Sequence, residues 1–290
     1  LKDAKLDYTG VVSHVTARRL MLTIAELSDE QPDVSEERRG PRADAPDQAI
    51  QGFLRGAGVS REELVEREDK KGTFFYAIIN QKGRPAKDVI AEIMPEIIRN
   101  FPWPKSQRWG AGSLRWVRPL HSIICIMAGD VIDFEVEGIH SGNITCGHRF
   151  MAPNEIKVAD YASYSAALKK AYVVLDREER LAFIKKNANK LAADAGLSIV
   201  EDIALLVEVA GLAEYPVVLM GSYDKEFLDV PPEALTSAMR AHQKYFSLID
   251  NQHNLTNKFV FVSNMKTKDN GAKIIDGNER VLRARLSDTK

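Results

Sequence analysis

Apolar and polar positions along this chain alternate with the two-residue period of strands and the three-to-four-residue period of helices, in interleaved blocks. Tyr8 to Leu27 places Val11, Val12, Val15, Leu20, Leu22 and Ile24 in near-alternation, which predicts a strand pair. From Ser28 the chain turns polar, with prolines at Pro32 and Pro41, and 28–46 reads as an exposed connection. Asp47 to Ala57 is expected to be a helix with Ala49, Ile50, Phe53 and Leu54 on one face, ended by Gly56 and Gly58. Ser60 with Glu63 three residues on forms a capping box for a short helix. Thr73 to Gln81, aromatic and β-branched, predicts a strand. Pro85 opens a helix to Asn100 through Val89, Ile90, Ile93, Ile97 and Ile98, with Pro95 predicting a kink or break.

Leu120 to Met127 and Val131 to Val136 read as strands joined at Gly129-Asp130. Asp176 caps a helix to Ala195 whose stripe is Leu181, Ile184, Ala188, Leu191 and Ala195. A further helix runs from Glu201 to Ala213, and Val217 to Met220 is a short strand. Another helix runs from Pro231 to His242, and a hairpin folds Tyr245 to Ile249 against Lys258 to Ser263 around Asp250–Asn254. Such interleaving predicts an α+β fold, mixed and antiparallel sheets with packed helices, rather than a doubly wound parallel sheet. Two domains are expected, 1–72 with its connection at 28–46, and 73–290.

Composition sharpens this picture only in places. With 290 residues, 44% hydrophobic and 28% charged, the chain buries an ample core without disulfides or metals. Cys125 and Cys146 form no disulfide framework and suit a reducing cytoplasm. No apolar run approaches the ~20 residues that span a bilayer. The first residue is Leu1 rather than Met, so the beginning is expected to be incomplete. A net charge of −1 argues against a uniformly basic glove for RNA. Charge is nevertheless clustered. Between Arg99 and Pro119 stand Arg99, Lys105, Arg108, Arg115 and Arg118 without an acidic residue, and the stretch from Gly277 to Lys290 carries Arg280, Arg283, Arg285 and Lys290 against Glu279 and Asp288. Local cationic stretches fit contact with a polyanion over part of the surface, or solvated faces and intersubunit salt bridges.

Catalytic signatures are scarce. Neither a phosphate loop of the Gly-x-x-x-x-Gly-Lys type nor a Gly-x-Ser-x-Gly elbow is present, and Gly110-Ala-Gly-Ser reads as a tight turn. His140, Cys146 and His148 lie close in sequence, but no fourth zinc ligand accompanies them, which favours structural roles. Three dense polar clusters remain: Gly147–Phe150, Ser237–Phe246 and Gly277–Leu286. Arg240 and Lys244 are neighbours on a helical face, a repulsion that water or an anion must screen. Arg280 and Arg283 share another face, with Val281, Leu282 and Leu286 expected inward. Arginine forks suit phosphates, and Tyr245 or Phe246 would stack on a base. An ordinary amphipathic helix with carboxylate partners is the competing reading.

Leu114-Arg-Trp-Val-Arg-Pro-Leu-His-Ser-Ile123, Gly147-His-Arg-Phe-Met-Ala-Pro153, Met239-Arg-Ala-His-Gln-Lys-Tyr-Phe246 and Gly277-Asn-Glu-Arg-Val-Leu-Arg-Ala-Arg-Leu286 resemble, in order, the signature stretches of the bacterial glycyl-tRNA synthetase β subunit. Glu214–Gly221 and Phe227–Pro232 belong to the same pattern, as does Thr16–Leu20, although Ala17 stands where the family usually has proline. The resemblance covers essentially the whole chain. It implies a ligase of two α and two β subunits, in which α makes glycyl-adenylate from glycine, ATP and Mg2+. The β subunit engages tRNA(Gly) and carries HD-like and anticodon-binding domains, expected to follow the region seen here.

This chain by itself is therefore expected to hold no catalytic residue, metal or cofactor, and to work in the cytoplasm away from membranes. Arg149, Arg240, Lys244, Arg280, Arg283 and Arg285 are the expected contacts to RNA or to the α subunit. Two alternatives are a scaffold that docks α without touching RNA, and a hydrolase of mischarged tRNA with His148 or His242 beside the reacting water.

Overall fold

The computed structural model describes residues 1–287, so Asp288 and Lys290 of the charged C-terminal stretch lie outside the described residues. The chain is α+β and divides into two compact units. One comprises Leu1–Gly10, Ile24–Met127 and Val131–Gly142, and the other Val11–Thr23, Ala128–Asp130 and Asn143–Lys290.

The first unit holds a three-stranded antiparallel sheet with Gly72–Gln81 at its centre, flanked by Val34–Arg42 and Leu64–Asp69. Phe75 packs from one face of it against Ile50 and Leu54 of the Asp47–Ala57 helix. That helix has the predicted bounds because Gly58 adopts φ 68° and donates its N–H to the Leu54 carbonyl. The expected connection at 28–46 is corrected here, since nine of its residues form the Val34–Arg42 strand. The reason lies on the solvent face. Arg39 stands 3.9 Å over the Phe74 ring and pairs with Asp69, while Arg67 covers Tyr76 and pairs with Glu37. Side chains from both outer strands thus bridge over the central strand's aromatics, so a polar segment joins the sheet without an apolar face of its own. Its Gly40-Pro41 sits in a register irregularity at the sheet edge, where proline removes no ladder bond.

A second core in this unit surrounds the Ala86–Arg99 helix, whose Ala86, Val89, Ile90 and Ile98 pack with Leu6, Ile132, Phe134 and Val136. One continuous helix runs through Pro95 instead of breaking there. Burial of Ile90 and Ile98 on either side compensates the single backbone bond that proline forgoes. The strands expected over 120–136 are short pieces, with Ile123–Ile124 parallel to Ile139–Gly142, which also pairs antiparallel with Glu135–Val136.

The second unit is built on an antiparallel sheet in the order Ser198–Ile199, Phe246–Ile249, Leu255–Ser263, Val217–Ser222. The period of two is clean. Phe246, Leu248 and Val260 face the Arg177–Asp194 and Ile203–Leu212 helices through Ile184, Ala188, Ala192, Leu205 and Val209. Leu219, Phe259 and Phe261 face the other way, onto Leu235, Met239, Leu282 and Leu286 of the Pro232–Ala238 and Ala272–Ser287 helices and the π-helical turn Met239–Gln243. Val281, expected inward, is instead exposed. Asp176 caps its helix as predicted, accepting from the Glu178 and Glu179 N–H groups at 2.7 and 3.0 Å. The helix's buried stripe, however, runs through Arg180, Ile184, Ala188 and Ala192.

Candidate nucleic-acid interface

The Gly147–Pro153 segment of the second unit leaves the strand Ile144–Cys146 and turns immediately. Gly147 permits that turn by close packing, since a Cβ there would lie 2.4 Å from the Ala171 Cβ and 2.6 Å from the Ala152 carbonyl oxygen. His148 follows, wholly buried. Its Nε2 donates to the Asn264 carbonyl at 2.6 Å, and its Nδ1 accepts from the Phe150 and Met151 N–H groups, each at 3.3 Å. A carbonyl only accepts, so these partners fix the Nε2–H tautomer. The His148 N–H donates to the Ala171 carbonyl, and the His148 carbonyl accepts from Ala152. The imidazole therefore braces the turn from beneath, and its two nitrogens are committed to backbone. As a hydrolytic base it has no free position.

Held in this way, the next two side chains point to solvent. Arg149 is exposed, Phe150 is 66% exposed, and the guanidinium lies 5.5 Å from the Phe150 ring centroid. Arg149 has no acidic partner among the described residues. A cation and an open aromatic face, side by side on a braced loop, match a phosphate and an unstacked base.

Most of the other expected contacts are engaged within the fold. Arg240 binds Asp202, the N-cap of the Ile203–Leu212 helix, and Lys244 pairs with Glu208 at 2.7 Å. Their expected mutual repulsion is corrected accordingly. Lys244 has left the helix with φ 60°, and each cation meets its own carboxylate. Arg280 pairs with Asp276 at 2.6 Å and Arg283 with Asp224 at 2.9 Å, while Arg285 acts electrostatically on Tyr245. His242 is exposed.

Tyr245 and Phe246, expected to stack on bases, are buried, only 3% and 4% exposed. The Tyr245 hydroxyl donates to Asn278 Oδ1 at 2.6 Å, and burial pushes its pKa up to about 12. These two motif clusters meet in the core, around a cavity of about 170 Å³ lined among others by Gln243, Lys244, Asn264 and Asn278. Of the aromatics in the three clusters, Phe150 is the exposed one. Its place in the Gly147–Phe150 cluster was visible in the sequence, but nothing there distinguished an exposed ring from a buried one.

A buried ionic cluster ties the hairpin strands of this unit, Val11–Thr23, to its body. Glu214, 0% exposed, accepts from Thr16 Oγ1 at 2.6 Å and Arg19 Nε at 2.9 Å, with Arg18 at 3.6 Å. Arg19 continues to Thr145 Oγ1 and the Gly147 carbonyl, at 3.2 and 3.0 Å. Gly147 thereby connects the cluster directly to the Arg149–Phe150 loop.

Among the described residues no group of three His, Cys, Asp or Glu could hold a metal ion, and no helix is long and apolar enough to cross a membrane.

Comparison with known proteins bears on this arrangement. The sequence profile described as "Glycyl-tRNA synthetase beta subunit" matches residues 1–290. The chain is 52% identical over 294 residues to the glycine–tRNA ligase beta subunit of Ruegeria sp., covering 100% of this chain and 43% of that protein. Proteins of the same description from Paracoccus denitrificans and Dinoroseobacter shibae are 50% and 48% identical, with 99% and 100% of this chain and 43% and 41% of theirs covered. The chain thus spans less than half the length of these relatives.

Proposed function

The chain belongs to the glycyl-tRNA synthetase β-subunit family, and from that premise we propose that it binds tRNA(Gly) through the Arg149–Phe150 loop and helps assemble the ligase with its catalytic α subunit. The observation that carries this reading is the braced loop itself: an exposed aromatic beside an arginine without an acidic partner among the described residues. Arg149 contributes charge to a phosphate, and Phe150 a stacking face for a base, worth about 1–3 kcal/mol. The paired cations Arg240, Lys244, Arg280 and Arg283 act secondarily, by exchanging an internal carboxylate for a phosphate where one is offered. Glycine activation with ATP and Mg2+ belongs, in this reading, to the α subunit of the whole cytoplasmic enzyme.

Assembly has separate support. The Ile203–Leu212 helix is apolar nearly all round, and it exposes Ile203, Val207 and Leu212 on the side away from the sheet. An uncovered apolar face of this kind suits a partner surface, here that of the α subunit. The scaffold alternative keeps this face and dispenses with RNA.

Titration of the chain with tRNA(Gly) separates them. Binding that falls by about tenfold in Arg149→Ala and Phe150→Ala, each folded as the parent, supports the RNA reading. If tRNA binding persists undiminished in both variants, the loop is not the contact. Absence of binding by the parent chain leaves the scaffold reading, for which Val207→Asp should abolish capture of the α subunit.

A further inference from the structure

The first unit carries a second cationic surface, in the basic stretch that follows Arg99. The strands Gln107–Arg108 and Arg115–Trp116 pair antiparallel, with Arg108 directly opposite Arg115. Side chains of opposed residues share one face, with Cβ atoms about 4.5–5.5 Å apart, and like charges so placed repel. The structure offers them no acid. Among the described residues, neither Arg108, Arg115, Lys105 nor Arg118 makes an ion pair. Arg115 uses one N–H on the Ser106 carbonyl at 2.8 Å, and all four side chains are exposed.

The rest of the hairpin explains why this face is held out. Trp116, opposite Gln107, turns to the other side, where its ring packs edge-on against Trp103 at 4.9 Å and meets Phe101 at 5.5 Å. Trp109 Nε1 donates to the Trp116 carbonyl at 3.0 Å. Past the turn at Gly110, the Ser113 N–H and hydroxyl both donate to Glu137, which also binds Arg99 at 2.8 Å. Glu137 is thus committed to Arg99 and to the turn. Apolar packing on one side and this carboxylate at the tip fix the hairpin, leaving the opposed Arg108 and Arg115 without an acidic partner among the described residues.

We propose that the Arg108–Arg115 face is a phosphate-binding surface for the RNA backbone, additional to the Arg149–Phe150 loop and flanked by Lys105 and Arg118. It rests on the reading that this chain binds RNA. Two planar forks on facing strands grip one phosphate or two successive ones, and the repulsion built into the free hairpin is relieved when they do so. Contacts to phosphates position RNA without selecting its sequence.

The test is titration of the 290-residue chain with tRNA(Gly) over a range of salt, for the parent and for Arg108→Gln/Arg115→Gln. Loss of two phosphate contacts should flatten the slope of log K against log salt by about 1.4–1.8 and weaken binding about tenfold or more. Arg108→Lys/Arg115→Lys should keep the slope. The thermal midpoint of the Gln variant should equal or exceed the parent's, because a repulsion has been removed. Should it melt lower, Arg108→Gln alone serves, with about half the slope change. An unchanged slope in a folded variant overturns the surface and leaves the RNA reading intact. A parent chain without salt-sensitive tRNA binding overturns both.

Discussion

Arg19 and Glu214, 195 residues apart in sequence, meet at 2.9 Å with their side chains 11% and 1% exposed. One guanidinium thereby joins the turn of the Val11–Thr23 hairpin to the Thr145 hydroxyl and the Gly147 carbonyl. Glu214 Oε2 makes no hydrogen bond among the described residues, and the Arg18 guanidinium stands 3.6 Å from it.

Glu214→Ala should therefore be far costlier than its lost contacts suggest, because it strands a largely buried guanidinium. Removing one partner of such a pair costs about 3–5 kcal/mol. Denaturant midpoints of Glu214→Ala and of the double variant Glu214→Ala/Arg19→Met measure this. The double variant should recover part of the loss. If both are equally unstable, the pair is not what holds the hairpin.

Arg180 is fully buried and donates to four backbone carbonyls, those of Val15, Val174, Leu175 and Ala210, at 2.7–3.0 Å. Lysine presents a point charge instead of this planar fork, so Arg180→Lys should destabilise by about 3 kcal/mol or more although charge is kept. Stability within about 0.5 kcal/mol of the parent would contradict the assigned role.

Gly147→Ala places a methyl group where the Ala171 Cβ and the Ala152 carbonyl already stand. Overpacking of this kind costs about 1–3 kcal/mol. The affinity for tRNA should fall with it, since the same turn carries Arg149. Gly142→Ala, which meets nothing within 4 Å, is the matched control.

The hydrogen bond from Arg99, with those from Ser113, holds the Glu137 carboxyl down from 4.5 to about 2. A folded-state value below the unfolded one means that its stabilisation is full above about pH 4.5 and disappears as pH falls through about 2. Glu137→Gln should accordingly melt below the parent at about pH 6, and the gap should close on acidification toward about pH 2. A gap independent of pH would show that Glu137 acts through shape alone.

Burial pushes the Cys125 thiol up to about 11. Iodoacetamide should modify it very slowly at about pH 8 and roughly tenfold faster with each pH unit up to about 11. Mass spectrometry of timed samples reads the rate directly. Rapid labelling at neutral pH would mean that the site opens readily.

Much of this architecture was legible because local chemistry and packing agree. Gly58 and Asp176 mark helix ends by requirements of backbone geometry or N–H capping, and those ends fall where expected. Val34–Arg42 was hidden because its partners are arginine–aromatic and ionic contacts across a neighbouring strand, which leave no alternation to read. Arg180 escaped notice for a related reason. A cation in a helical stripe reads as surface until four carbonyls are found around it. At the candidate site, the density of polar residues marked the clusters but not which side chain turns out. Tyr245 and Phe150 look alike in sequence, and only packing separates them.

Asn264 sits just beyond the strand Leu255–Ser263. Its side-chain oxygen accepts from the Glu214 and Tyr215 N–H groups at 2.7 and 3.0 Å, while its carbonyl receives His148. A single residue therefore closes two segments far apart in the chain. Their amides should exchange with deuterium as one unit, opening together at a common free energy, and a bound partner that slows exchange at the His148 turn should slow it at Glu214 as well.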